Sequence, residues 1–285
     1  MRDVRLDEFR SRVLARGTEL YRDLPWRRTH DPYAVWVSEA MLQQTQVVRV
    51  DGRWQRWLER FPTVDALAAA SSADVLEEWQ GLGYNRRAIA LLHAAQVVSG
   101  SGGEVPSDQD ALEALPGVGP ATAAGVRAFA FDLPAAYLET NVRTVFLHEL
   151  FPTSEQVSDT ALVPLVRTCC PPDAHDPADD PRSWYYALLD YGAWLKRNVP
   201  NPSRRSSTHV RQSRFEGSHR QRRAETLRIL LAHCDGVELE TVWQELSREE
   251  MGVGIIGVHI EEVLSILEEL QNEGMCQLSD GLWQV

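Results

Sequence analysis

Two glycines one residue apart, Gly117 and Gly119, sit in the run Leu115-Pro116-Gly117-Val118-Gly119, between apolar segments at 111–114 and 122–130. A Gly-x-Gly turn at a helix start leaves backbone N–H groups pointing outward, where a phosphate oxygen accepts them and the helix dipole favours its charge. Such contact anchors a nucleic-acid backbone without reading sequence. The same five residues also suit an ordinary connection between two helices. A second phosphate-binding candidate is the stretch 196–223, which carries Lys196, Arg197, Arg204, Arg205, Arg211, Arg214, Arg220, Arg222 and Arg223 against the single acid Glu216. A solvated basic loop is the alternative there.

The elements that must position these groups read as helices. The 285 residues are 44% hydrophobic, enough for a buried core, and the net charge of −12 argues against indiscriminate affinity for nucleic acid. From Pro32 to about Asp132 apolar residues recur at helical spacing in some six segments, without strand signals. Ser71-Ser72-Ala73-Asp74 and Ser107-Asp108-Gln109-Asp110 each place a carboxylate three residues after a hydroxyl, which predicts helix starts at Ser71 and Ser107. Gly100 to Gly103 ends a helix, the Asp- and Pro-rich residues 173–181 form a loop, and Trp184 to Leu189 resumes as an apolar helix. Beyond Ala224, helical patterns near 226–233, 240–246 and 259–273 precede two short strands flanking Asp280-Gly281, a pair suited to a type I′ turn. Three helices closed by a hairpin predict a small winged-helix-like unit over 224–285.

The four cysteines, Cys169, Cys170, Cys234 and Cys276, have no CxxC spacing and read as reduced structural thiols. No stretch reaches about 18 uninterrupted apolar residues, and residues 1–21 lack the apolar core of a signal peptide. A cytoplasmic monomer without membrane contact is expected.

Several further motifs occur in a fixed order: Pro25-Trp26-Arg27, Val35 to Gln46 with Glu39 and Gln43-Gln44-Thr45, Gly81-Leu82-Gly83-Tyr84, the glycine turn, and Asn141-Val142-Arg143. Together they resemble the endonuclease III and MutY superfamily of helix-hairpin-helix DNA glycosylases, and Glu39 with Gln43-Gln44-Thr45 is similar to the MutY branch. The likeness runs from about Leu24 to Lys196. It implies an all-α, two-lobed fold with the lesion pocket in the cleft: residues 32–132 as a six-helix lobe with the hairpin, 1–31 and 133–223 as the second lobe, and 224–285 appended.

The resemblance also implies roles. Glu39 stands where MutY-like proteins keep a glutamate that protonates the departing adenine, a task needing a neutral carboxylic acid whose pKa is raised by burial, here against Trp26 or Trp36. Glu139 stands where the superfamily places an aspartate that stabilises the sugar cation. It differs by one methylene, and Thr140 replaces a glycine, so an altered or inactive site is the alternative. Bifunctional relatives carry a lysine where this chain has Ala121, so no Schiff base forms there and the expected activity is monofunctional. Leu115, Gly117, Val118, Gly119, Ala121 and Asn141 line up with the DNA-contacting residues. Gln43, Gln44 and Tyr84 suit filling the gap left by an extruded base, with core packing an equal reading for Tyr84. Arg27 matches an arginine near the base pocket, or it stacks and pairs with an acid.

The family's iron–sulfur cluster needs four cysteines after the Asp-x-Gly-Ala helix. Here Asp190-Tyr191-Gly192-Ala193-Trp194-Leu195-Lys196 puts lysine at the first ligand position, and no cysteine lies between Cys170 and Cys234. The cluster is expected to be absent, with no other cofactor or metal, and with the arginine-rich segment packed in its place. The expected function is excision of adenine from mismatched or oxidised duplex DNA, opposite 8-oxoguanine or guanine. A pyrimidine-mismatch or other damaged-base glycosylase, and a non-catalytic DNA-binding protein, are the alternatives.

Overall fold

The computed structural model describes residues 2–154, 156–172, 179–207, 217–252 and 257–285, with side chains from residue 5 onward. The loop expected at 173–181 falls mostly outside this set, as do Arg211, Arg214 and Glu216 of the basic stretch.

The described secondary structure is helical apart from one short hairpin near the end of the described residues. It begins with α1 (Arg2–Leu20), a 3-10 turn at Pro25–Arg28, and α2 (Pro32–Leu42), whose Asp31 cap accepts the Tyr33 N–H. Short helices follow: α3 (Val47–Val50), α4 (Arg53–Arg60), α5 (Val64–Ala68) and α6 (Ser72–Trp79). Ser71 caps α6 reciprocally with Asp74, as the spacing predicts. The longer α7 (Arg86–Gly100) stops where the glycines begin. The cap of α8 (Gln109–Glu113) is Asp108 and not Ser107, because the Asp108 carboxylate reaches both the Asp110 and Ala111 N–H groups. Then come α9 (Pro120–Ala130), α10 (Thr140–Leu150), α11 (Asp159–Cys169) and α12 (Pro181–Asn198).

Spatial proximity groups these elements into two compact units, Met1–Gln43 with Val105–Arg211, and Gln44–Glu104 with Gln212–Val285. These boundaries differ from those read along the sequence. Helix α2 packs on α9, so both lie with the first unit. In that unit α1 and α10 lie against α12, and their shared core is aromatic: Phe9 meets Phe146 at 4.9 Å and Trp184 at 6.0 Å, both edge-on. The arginine-rich segment opens with a 3-10 turn at Pro202–Arg205 that packs against α10. Arg205 donates there to the carbonyls of Leu147 (3.0 Å) and Pro152 (2.9 Å) at the end of that helix.

In the second unit α5 and α6 pack on α7, around Trp57 and Trp79 at 5.4 Å. The C-terminal part adds α13 (His219–Ala232), α14 (Leu239–Gly252) and α15 (Ile260–Asn272), then strands β1 (Gln277–Ser279) and β2 (Leu282–Gln284). The strands pair antiparallel, with Asp280 and Gly281 both at positive φ, as a type I′ turn requires. Val237 bridges to Trp283 between α13 and α14, which completes the element order of a winged helix.

The acidic C-terminal helices meet the basic residues before them. Arg222 pairs with Glu250 (2.7 Å) and Glu262 (2.6 Å), Arg223 with Glu269 and Glu273, and Arg228 with Glu225 and Glu249. Among the described residues of the basic run, Arg222 and Arg223 are therefore engaged with carboxylates of the same unit. No described helix is long and apolar enough to cross a membrane.

Candidate active site

Two helices and one loop of the first unit bring the chemistry-bearing groups together. Helix α2 carries Glu39 on a face otherwise buried among Val35, Trp36 and Ala40. Its neighbour α9 turns Gly125 toward it: a Cβ on Gly125 would stand 2.2 Å from Glu39 Oε2 and 3.0 Å from the Tyr137 ring. Only a residue without a side chain admits the carboxyl group here. The Tyr137 hydroxyl donates to Glu39 and is itself kept protonated by burial. That ring is wedged against Phe129 at 5.2 Å and Tyr185 at 5.4 Å, both edge-on.

Glu139 is the N-cap of α10. Its carboxylate accepts the Asn141 N–H and, at 2.9 Å, the Val142 N–H, and Asn141 Nδ2 approaches it at 3.3 Å. The extra methylene therefore folds back into a cap that an aspartate also makes. Asn141 Oδ1 is buried with no hydrogen-bond partner among the described residues.

Both carboxyl groups keep some accessible surface yet are enclosed by protein, and they differ in charge preference. Desolvation pushes Glu39 up to about 8; the Tyr137 hydrogen bond opposes this, and the charge of Glu139 adds to it. Burial also raises Glu139, but the Val142 and Asn141 N–H groups and the charges of Lys196 and Arg143 pull it back. Glu39 is thus held toward its neutral acid form, whereas Glu139, though also raised by burial, has N–H donors and nearby cations that favour its carboxylate form. One carboxylic acid and one carboxylate, held in different environments, are what proton donation paired with cation stabilisation requires.

Lys196, at the end of α12, is half-buried and has its pKa lowered by desolvation, while the Glu139 charge favours its protonated form. The helix approaches α10 closely at Gly192, where a Cβ would stand 2.3 Å from the Asn141 carbonyl oxygen. Two residues earlier, Asp190 accepts from Arg27 at 2.7 and 2.9 Å and from Arg22. Arg27 is thus buried, paired with an acid and stacked 4.3 Å over Tyr186. Of its two readings from the sequence, the stack and ion pair is the geometry found.

The glycine turn has the expected shape. Leu115 and Val118 bury their side chains, the Val118 N–H closes on the Leu115 carbonyl at 3.1 Å, and Gly117 takes a φ of +73°. Gly119 caps α9, facing open space, and Ala121 lies exposed in its first turn. Gln43 closes α2 and donates to Thr122 at 2.9 Å, tying it to the same helix start. The next residue, Gln44, adopts a left-handed backbone at the point where the chain enters the second unit. In that unit Thr45 and Arg87 brace the Gly81–Tyr84 turn, with Arg87 donating to Gly83 O at 2.8 Å, and Tyr84 stands out exposed.

Tyr137, Gly125, Lys196 and Gly192 therefore join the site without having been singled out for it by type. Among the described residues no group of three His, Cys, Asp or Glu side chains could hold a metal ion. Burial pushes the thiols of Cys169 and Cys276 up to about 11 and raises Cys170.

Residues 37–171 match the family described as HhH-GPD superfamily base excision DNA repair protein. An adenine DNA glycosylase of Mycolicibacterium smegmatis is 34% identical over 246 residues, which covers 78% of this chain and 81% of the relative. One from Mycobacterium tuberculosis is 34% identical over 262 residues, covering 81% and 82%. The solved structure of a thermostable thymine-DNA glycosylase superposes with a TM-score of 0.60 at 26% identity, over 67% of this chain and 87% of that one. The chain belongs to the HhH-GPD superfamily of base excision DNA repair proteins, and its relatives over most of its length are adenine DNA glycosylases.

Proposed function

We propose that the protein is a monofunctional DNA glycosylase that hydrolyses the bond between deoxyribose and adenine in mismatched or oxidised duplex DNA. The observation that carries this reading is the carboxyl pair: Glu39, pushed up to about 8, next to a Glu139 that backbone N–H groups hold in place. Adenine leaves poorly as an anion, so Glu39 passes its proton to the purine ring as the C1′–N9 bond breaks. The departing pair of electrons is thereby neutralised, and the positive charge left on the sugar faces the Glu139 carboxylate. A water molecule adds its oxygen to C1′, loses a proton, and leaves an abasic deoxyribose. The buried Asn141 Oδ1 supplies an acceptor for that water.

The Gly117, Gly119 and Ala121 N–H groups bind a phosphate of the damaged strand, and Ala121 offers no amine to attack C1′, so the strand stays uncut. The enzyme works without an iron–sulfur cluster. A four-thiolate cluster does not fit these residues: Lys196 holds the first ligand position with its charge toward Glu139, and the buried thiols resist ionisation.

Single-turnover assays on duplexes with adenine opposite 8-oxoguanine or guanine test the reading. Wild type should release adenine, while Glu39→Gln and Glu139→Gln should not. Release of thymine from thymine–guanine mismatches with adenine untouched would favour the second substrate class, which the thymine-DNA glycosylase likeness brings into view. No base release from any duplex would leave a binding protein.

A further inference from the structure

Beside Glu139 the fold leaves a cation, Lys196, without a counter-ion. Lys196 stands four residues after Gly192 on α12, hence on the helix face that presses on Asn141 at the start of α10. Its ammonium is half-buried, yet it makes no hydrogen bond or ion pair with any described residue. The guanidinium groups around it are engaged. Arg143, whose charge also reaches Glu139, is gripped by both oxygens of Asp159 at 2.9 Å. Arg22, whose charge opposes that of Lys196, is held by Asp190. Arg197 lies exposed and donates back to the Ala193 carbonyl at 3.2 Å, in keeping with a cation at a helix end.

Taking an ammonium out of water without a partner is unfavourable, and the like charges of Arg22 and Arg197 make it more so. Glu139 relieves this only at a distance, because it makes no ion pair with Lys196 and its oxygens accept from the Asn141 and Val142 N–H groups. The missing component is an anion. We infer that Lys196 binds a backbone phosphate of the extruded nucleotide, the one on the side of the sugar turned toward α12. This rests on the glycosylase reading above. A deoxyribose whose C1′ faces the Glu139 carboxylate carries one phosphate on either side of it, so the substrate brings the anion to the place where the charge stands unpaired. A compact ammonium on a four-carbon stem takes a phosphate oxygen as a point charge, without the planar fork that reads a base edge. The contact is therefore indifferent to sequence and adds to affinity and register alone.

The test is equilibrium binding of the full chain to a duplex with a non-cleavable 2′-fluoro deoxyadenosine opposite 8-oxoguanine, read by fluorescence anisotropy over a range of salt. Two further duplexes carry a neutral methylphosphonate in place of the phosphate 5′ or 3′ to that nucleotide. For wild type, one of the two should weaken binding about tenfold, the scale of a charge-assisted hydrogen bond. Lys196→Gln should weaken binding to the all-phosphate duplex by a similar factor, respond less than about twofold to that same methylphosphonate, and lower the salt slope by about one. Lys196→Arg, which keeps the charge, should restore both the slope and the sensitivity. The proposal fails if wild type is indifferent to both methylphosphonates, a result that needs no variant to fold. It fails equally if Lys196→Gln keeps the wild-type slope, or if each methylphosphonate weakens wild type and Lys196→Gln alike, as contact with the glycine turn alone would do. Because binding needs no bond cleavage, this outcome is separate from that of the adenine reading, which wild-type excision of ordinary deoxyadenosine decides.

Discussion

Glu39 and Gly125 share one space: a methyl group on residue 125 would lie 2.2 Å from a carboxyl oxygen of residue 39. The acid is seated by the absence of a side chain on the helix opposite. Gly125→Ala should therefore push the carboxyl group out of line and lower single-turnover excision by about 100-fold, the scale expected for displacement by about 1 Å. Measured on the same preparation, the melting temperature should fall only slightly, since alanine favours the helix. Activity within about threefold of wild type would contradict the seat.

The pH dependence follows from the pKa of about 8 at Glu39. Excision needs the protonated acid, so the single-turnover rate should hold through neutral pH and fall as pH rises past 8. Tyr137→Phe removes the hydrogen bond that lowers this pKa, so the descending limb should move to higher pH. Stability carries the same sign. Between the ordinary carboxyl value of 4.5 and about 8 the folded state holds a proton that the unfolded state has released. Stability from this group therefore declines across that window, by about 1.4 kcal/mol per pH unit at most, and levels off above it. Glu39→Gln should flatten the decline in denaturant titrations.

Lys196 should behave as a positioning residue for Glu139. Lys196→Met removes a charge that favours the carboxylate, so Glu139 should take up its proton at higher pH and the acid limb of the rate profile should shift upward. The alkaline limb, which belongs to Glu39, should stay in place. A uniform loss of rate with both limbs unmoved would argue for a purely structural lysine.

Replacing Glu139 by aspartate separates its two tasks. Aspartate caps helices well, so Glu139→Asp should keep the melting temperature, whereas Glu139→Ala should cost about 1 kcal/mol. The shorter arm withdraws the charge from a pocket shaped for glutamate, and excision should fall by about tenfold or more. Faster excision by the aspartate variant would show that the pocket has not adjusted to the longer chain.

The Arg27–Asp190 pair is buried at both ends, with side-chain exposures of 1% and 0%. Asp190→Ala strands a charge in the core and should cost about 3 to 5 kcal/mol, visible as a large drop in denaturation midpoint. A selective defect in DNA affinity with stability intact would return Arg27 to the base pocket.

The local features of this chain could be read from its residues. Ser71 with Asp74, the glycine turn at 117–119 and Asp280-Gly281 each act within four residues, so type and spacing suffice. Glu39 and Glu139 were legible through ordered motifs. What the sequence concealed is long-range and geometric. Gly125 and Gly192 read as helix interiors, and only the approach of α2 and α10 explains them. Lys196 could be noticed as a missing cysteine, yet its relation to Glu139 depends on α12 lying along α10. Arg222 and Arg223 could be counted as cations but not paired, because their carboxylate partners, Glu250, Glu262, Glu269 and Glu273, lie 28 to 50 residues later.

The closing of residues 44–104 with 212–285 into a single unit has a genetic corollary. That part is no removable passenger: a stop codon between positions 217 and 273 would take away Glu273, the ion-pair partner of Arg86 in a helix translated more than a hundred codons earlier. Alleles truncated there should accordingly behave as unstable products and not as a trimmed repair enzyme, and substitution of Glu273 should be felt at the start of α7.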